Sequence, residues 1–245
     1  MTLMALHLSQ HGMVFASDSN LSGEDDALLG EAPKTFALPD LHAGLTVAGS
    51  YTVGGRSMSA WMPEFIAGQK CSSLASFAEA LRASLEAGMT GSEKQDGGSL
   101  VHIAGYVHEE GISHPEFHFV RNIVAIDPDT GAYTGIRTTF QSSEDFWSRD
   151  CQHRESPTGF VDDGSALYVN GYPDGRIAYV AALGQLSRVF EYLWTRPSSE
   201  LRRPSSLDED IVLVRLYMSI ICGLFAVSGN TVIGGDIQIY GIPAP

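Results

Sequence analysis

The stretch that decides the reading of this chain is its first twenty residues, Met1–Asn20: MTLMALHLSQHGMVFASDSN. Leu3 to Leu8 and Met13 to Ser17 are two short apolar runs separated by Ser9-Gln10-His11-Gly12, the pattern of a β-hairpin with a glycine in its turn. Ahead of the first run stands Thr2, directly behind Met1, and behind the second stands Ser17-Asp18-Ser19. A hydroxyl residue that becomes the N-terminus once Met1 is clipped carries its own base, the free α-amine.

Outward from that hairpin, strand and helix patterns come in blocks. Lys34–Leu38 and Ala43–Ala48, joined through Pro39-Asp40, read as a second hairpin that ends in Gly49. Arg56–Ala67 and Ser73–Ala87 read as helices, the second with Leu74, Phe77, Leu81 and Leu85 on one face. Leu100–Val107, Glu116–Ile126 and Ala132–Phe140 read as strands, with a turn at Pro128–Gly131. Leu167–Asn170 and Arg176–Ala182 are expected to be strands around the turn Gly171–Gly175, and Ser187–Trp194 a helix. Leu207–Val227 reads as a long helix capped by Ser206, and Ile233–Tyr240 as a closing strand. Leu21–Ala32 and Thr90–Ser99 are expected to be loops. Strand blocks alternating with helix pairs predict two antiparallel sheets with helices outside, an α+β layered sandwich in one domain spanning 1–245.

Composition narrows the function classes. The net charge of −14, from 15 basic and 29 acidic residues, opposes nucleic acid and anionic membrane as partners. Cys71, Cys151 and Cys222 are odd in number and form no C-x-x-C pair, as expected of reduced thiols in a cytoplasmic protein. No signal-peptide pattern opens the chain. Its longest apolar run, 211–227, is interrupted by Arg215 and Gly223 and reads as a buried helix, not a membrane span. His114 and His118 fall on a strand next to Pro115, so no metal site is expected, and no cofactor motif is present.

Four residues in the first fifty make a chemical set. Thr2 Oγ is the candidate nucleophile, and its α-amine, with an ordinary pKa of about 7.7–8.0, is the candidate base. A cation at Lys34 favours the deprotonated forms of both, and Asp18 can pair with Lys34 to hold it in place. The Gly49 N–H is the candidate oxyanion donor, since glycine lets a substrate carbonyl approach the main chain.

Thr2, Asp18 and Lys34 at this spacing, followed by Val47-Ala48-Gly49-Ser50, resemble proteasome β-subunits, the bacterial HslV peptidase and the ancestral-type proteasome homologues, all N-terminal nucleophile hydrolases. The resemblance extends to Ile103-Ala104-Gly105-Tyr106 and to the long helix running into Ile233-Gly234-Gly235. It omits roughly 141–175, which reads as an insertion. It implies a four-layer αββα sandwich and threonine-type amide hydrolysis of a peptide or amide substrate. It also implies homo-oligomeric assembly, as a ring or a helical array. Thr2 carries over as nucleophile and base, Asp18 and Lys34 as activators, and Gly49 as oxyanion donor. The family's Asp and Ser just ahead of the Gly-Gly pair, which orient the threonine amine, fall here on Asn230 and Ile233. Its Ser before the third helix finds only Gly184-Gln185 and Ser187 nearby. Those departures keep two further readings open: a catalytically decayed ring subunit or interaction protein on the same scaffold, and a small-molecule amidase of the same superfamily.

Overall fold

The opening hairpin forms as expected. Strand β1 (Leu3–Ser9) pairs antiparallel with β2 (Gly12–Ser17), with Met4 opposite Ser17. Gly12 makes the turn possible: its φ is +145°, and a Cβ there would fall 2.1 Å from the Ile242 carbonyl oxygen. The computed structural model describes residues 2–23, 27–126, 133–143 and 166–245.

The chain continues through β3 (Asn20–Ser22), β4 (Leu28–Glu31), β5 (Thr35–Leu38), β6 (Ala43–Gly49) and the small ribbon β7 (Thr52–Val53) and β8 (Arg56–Ser57). Helices α1 (Met58–Gly68), α2 (Leu74–Gly88) and α3 (Gly91–Gln95) follow. Next come β9 (Ser99–Glu109), β10 (Ile112–Ile126), β11 (Tyr133–Ser143) and β12 (Ala166–Gly171). Helices α4 (Pro173–Thr195) and α5 (Leu207–Val227) lead to β13 (Gln238–Pro243). Two sheets dominate, one in the order β12-β1-β2-β13 and the other β11-β10-β9-β6-β5.

Three apolar clusters place these elements. Leu45, Val47, Val101 and Val120 of the five-stranded sheet pack with Phe77, Leu81 and Leu85 of α2 and Met58 and Met62 of α1. Leu3, Ala5, Val14 and Val169 of the four-stranded sheet pack with Tyr179 of α4 and Val214, Met218 and Ile221 of α5. A third cluster draws on both sheets, with Met4, Leu6, Met13 and Phe15 against Leu100, Ala104 and Phe119. Strand β1 thus sends alternate side chains to two different apolar environments. This is why 3–6 reads as an unbroken apolar run with no polar alternation. Each such fully buried side chain contributes roughly 1.5–3 kcal/mol.

The helix ends follow local chemistry. Ser73 accepts from the Ser76 N–H in a capping box that starts α2, and Ser206 accepts from the Glu209 N–H at the start of α5. Helix α5 is long and apolar enough, by length and composition alone, to cross a membrane despite Arg215 and Gly223. Only part of it is covered: Val214, Met218 and Ile221 are buried, while Val212, Leu216 and Leu224 are exposed.

Several expectations are corrected. Arg176–Ala182 lies within α4, where Arg176, Tyr179, Leu183 and Ser187 form a buried stripe at helical spacing behind Pro173 and Asp174 in the first turn. The expected loops contain β3 and β4 in one case and α3, capped by Thr90 and Glu93, in the other. The closing strand starts only at Gln238, because Gly234 and Gly235 take φ values of +155° and +71°. Within the expected insertion, 166–175 supplies β12, hydrogen-bonded to β1, and the start of α4. Residues 144–165, the turn 128–131, Cys151 and Met1 lie outside the described residues.

Between the sheets the core turns polar toward one end. His102 of β9 is wholly buried, and its Nε2 lies 3.0 Å from Asn170 Nδ2 of β12. Burial pushes its imidazole from 6.5 down to about 3, so it folds neutral. The unfolded chain then binds the extra proton between pH 6.5 and 3, and stability falls as pH falls through that window, by at most about 5 kcal/mol. His102→Gln is expected to remove this dependence. Its stability gap to wild type, measured by urea unfolding, should move in favour of the variant from pH 7 to pH 4. A gap that stays constant with pH would contradict the assignment.

Candidate active site

The end of β2 brings the charged residues of the opening stretch against the start of β1. Asp18 follows Ser17, so its main chain meets Leu3: the Asp18 N–H donates to the Leu3 carbonyl at 3.2 Å. Its carboxylate turns back to the same residue, and Asp18 Oδ1 accepts from the Leu3 N–H at 2.8 Å. Lys34, just ahead of β5, reaches that oxygen too, with Nζ 3.1 Å from Asp18 Oδ1 and 2.5 Å from the Asn20 carbonyl oxygen. Both side chains of this ion pair are 0% exposed. The second carboxylate oxygen accepts from the Gly234 N–H at 3.3 Å.

A pair buried this fully is electrostatically tense. Burial pushes the Asp18 carboxyl above its ordinary value and the Lys34 ammonium below its own, and the opposite charge of the partner is the main influence restraining each shift. The same burial, with Asp18 as a second cause, pushes the Cys222 thiol of α5 up to about 11, so it stays protonated at neutral pH.

Thr2 lies one residue before the doubly held Leu3 and is itself buried. Its carbonyl accepts from the Tyr172 N–H at 2.7 Å. The approach depends on Gly171, whose φ is +112° and where a Cβ would fall 1.8 Å from the Thr2 carbonyl oxygen. By strand alternation Thr2 shares the inter-sheet face with Met4 and Leu6. Gly49 ends β6 opposite Ser99 at φ +98°, and a Cβ there would fall 2.0 Å from the Gly98 carbonyl oxygen. Two residues before it, Val47 donates to the Lys34 carbonyl at 2.9 Å. Direct hydrogen bonds therefore join Asp18, Lys34 and the residue after Thr2, whereas Gly49 is linked to Lys34 through its strand.

Several supporting groups are not evident from the sequence. Gln238 bridges the segment that carries Lys34: its Oε1 accepts from the Lys34 and Thr35 N–H groups at 2.7 and 3.2 Å, and its Nε2 donates to the Ala32 carbonyl at 2.8 Å. Asn20 and Gly234 hold the ion pair through main-chain atoms, which any residue type supplies. Ser19 Oγ donates to Glu31 Oε2 at 2.6 Å, and that hydrogen bond is the main cause holding the Glu31 carboxyl below its usual range. The turn signal around Gly171 was the one available clue to the Thr2 carbonyl site, since it marks the strand-to-helix junction beside Thr2. Gly184-Gln185 and Ser187 lie inside α4 instead, past that junction.

Asn230 and Ile233, the departures from an amine-orienting Asp and Ser, serve other ends. Asn230 Oδ1 accepts from the Val232 N–H at 2.9 Å, closing a local turn after α5. Ile233 is 2% exposed and belongs to the apolar cluster with α4 and α5. Among the described residues no group of three His, Cys, Asp or Glu is placed to hold a metal ion.

No protein-family model matches the chain, and no curated protein matches it by sequence. Among solved structures it is similar to Anbu (ancestral beta-subunit) from Yersinia bercovieri. The two share 14% identity with a TM-score of 0.49, over 99% of this chain and 82% of that one. That likeness is distant, and the chemistry of the site rests on the site's own geometry.

Proposed function

We propose that the chain is a threonine-type amide hydrolase, a peptidase on a proteasome-like αββα sandwich, acting through Thr2 after Met1 is removed. The observation that carries this reading is the sharing of Asp18 Oδ1 between Lys34 Nζ at 3.1 Å and the Leu3 N–H at 2.8 Å, with both charges wholly buried. A buried ion pair is seldom a net gain in stability over apolar packing, and one placed against the residue after a potential N-terminal nucleophile has a catalytic use.

In the reaction the α-amine accepts the proton of Thr2 Oγ as that oxygen attacks the substrate carbonyl. Lys34 lowers the pKa of the hydroxyl and amine, and Asp18 holds Lys34 in position. The Gly49 N–H receives the oxyanion. The amine then protonates the leaving nitrogen, an acyl ester remains on Thr2, and water releases the acid product. A reduced cytoplasmic setting and homo-oligomeric assembly belong to the same proposal. Exposed Ile177, Val189 and Tyr192 on α4, with Val212, Leu216 and Leu224 on α5, support assembly.

An epoxyketone peptide, which forms a ring with a free threonine hydroxyl and amine together, tests the reading. Intact mass and peptide mapping should show loss of Met1 and one adduct, on Thr2. A chain that keeps Met1 and takes no adduct would sink the proposal. It would favour a non-catalytic subunit on the same scaffold, the reading that Asn230 and Ile233 support by serving packing and turn roles.

A further inference from the structure

The mechanism leaves one requirement unmet by the residues named so far. An amine acts as base for its own Oγ–H only if its lone pair points there, so its N–H bonds must be taken up by acceptors elsewhere. Asn230 and Ile233 supply none. The Asn230 side-chain oxygen is committed to Val232, and Ile233 is apolar.

Strand β12 carries an acceptor that is not committed. Asn170 is 0% exposed, and its Oδ1 makes no hydrogen bond, although burial makes an unpaired carbonyl oxygen costly. The other end of the amide is engaged, with Nδ2 3.0 Å from His102 Nε2. With Nδ2 turned to His102, the amide donates to the Nε2 lone pair of the neutral Nδ1–H tautomer, and its oxygen faces away. Register sets the rest of the geometry. Asn170 pairs with Met4, and Tyr172 donates to the Thr2 carbonyl, so Thr2 and Asn170 are diagonal neighbours on the inter-sheet face. Such neighbours stand about 7–8 Å apart between Cα atoms and lie within side-chain reach of one another.

We infer that Asn170 is a positioning residue for the Thr2 α-amine, its Oδ1 accepting an amine N–H and its orientation locked by His102. The inference rests on the proposed role of Thr2 and supplies the amine-orienting function that Asn230 and Ile233 do not. Among the described residues, the charged and titratable groups of the site are Asp18 just past the end of β2, Lys34 just ahead of β5 and His102 on β9. None of them offers a neutral acceptor: Asp18 is held by Leu3, Lys34 and Gly234, and His102 by Asn170.

The test reads the amine directly. Chain with Thr2 exposed and isotopically labelled is titrated by NMR as wild type, N170A and N170D, alongside kcat/KM against pH on a fluorogenic peptide amide. Losing the acceptor destabilises the ammonium, so N170A should lower the amine pKa by about half a unit or more. An aspartate of the same shape should raise it by about one unit, and the acid limb of kcat/KM should move with it. An amine pKa unchanged in both variants overturns the inference, whether or not the protein turns over substrate. Opposite shifts in a protein that cleaves no amide would leave the positioning intact and defeat the hydrolase reading instead. The isosteric N170D keeps the test readable if N170A fails to fold.

Discussion

Thr2→Ala is expected to lower amide turnover by about 10⁴-fold or more while leaving the thermal midpoint within about 2 °C of wild type. The reasoning separates two roles of the residue. Turnover depends on Oγ, which alanine lacks, and no other hydroxyl in the described site stands on an exposed α-amine. The fold depends on the Thr2 main chain, which accepts from Tyr172 and positions Leu3 beside Asp18. Alanine keeps that main chain and loses only one small side-chain group. Thr2→Ser should retain measurable turnover, because it keeps both hydroxyl and amine. Wild-type cleavage by Thr2→Ala, measured with a peptide amide and a differential scanning trace on the same sample, would rule out Thr2 as nucleophile.

Lys34→Met is expected to cost about 3–5 kcal/mol of stability and to remove turnover with it. The large stability term comes from what remains: Asp18, wholly buried, keeps its backbone donors but loses its cation. That penalty has a predictable pH dependence. The folded-state pKa of Asp18 is already raised by burial, and removing Lys34 raises it further. A raised carboxyl pKa means stability present at low pH and lost as pH rises through the folded value, so the deficit of Lys34→Met should shrink on acidification. The double variant Asp18→Asn with Lys34→Met leaves no charge behind. It should recover part of the lost stability, since the amide oxygen at position 18 still accepts from the Leu3 N–H while its NH2 replaces the oxygen that faced Gly234, yet it should recover no turnover. Urea unfolding of the singles and the double gives the coupling directly. A double variant as unstable as the sum of the singles, or one that regains activity, contradicts this account of the pair.

How much of this was legible in the chain depends on the range of the interaction. The opening hairpin, the α2 stripe and the full extent of α5 with its Ser206 cap were readable because local hydrogen bonding and side-chain periodicity specify them. Residues 176–182 of α4 are not legible as helix, because Gly175 and the turn residues before it carry the pattern of a hairpin. Its stripe of Arg176, Tyr179, Leu183 and Ser187 has two polar members, which hides the period of 3.6. The delayed start of β13 escaped for a similar reason. Ile233 looks like strand but is buried as a loop residue between two positive-φ glycines and the helices.

The site divides along the same line. By itself the sequence determined the types and the order of the chemical groups: a threonine behind Met1, an acid, a base and a glycine at the ends of apolar runs. A strand end is where a side chain can leave the sheet's repeating hydrogen bonds, so that spacing already implied convergence. Only the tertiary structure decided what the groups touch. The shared Asp18 oxygen, the Gln238 bridge to Lys34 and the Tyr172 hold on Thr2 join residues far apart in the chain, several through main-chain atoms that no residue type announces. It also decided that Asn230 and Ile233 serve the turn and the core, and that Asn170 stands with an unpaired oxygen on the face of Thr2. Pairing register and burial arise from the whole chain packing at once, and local sequence carries neither.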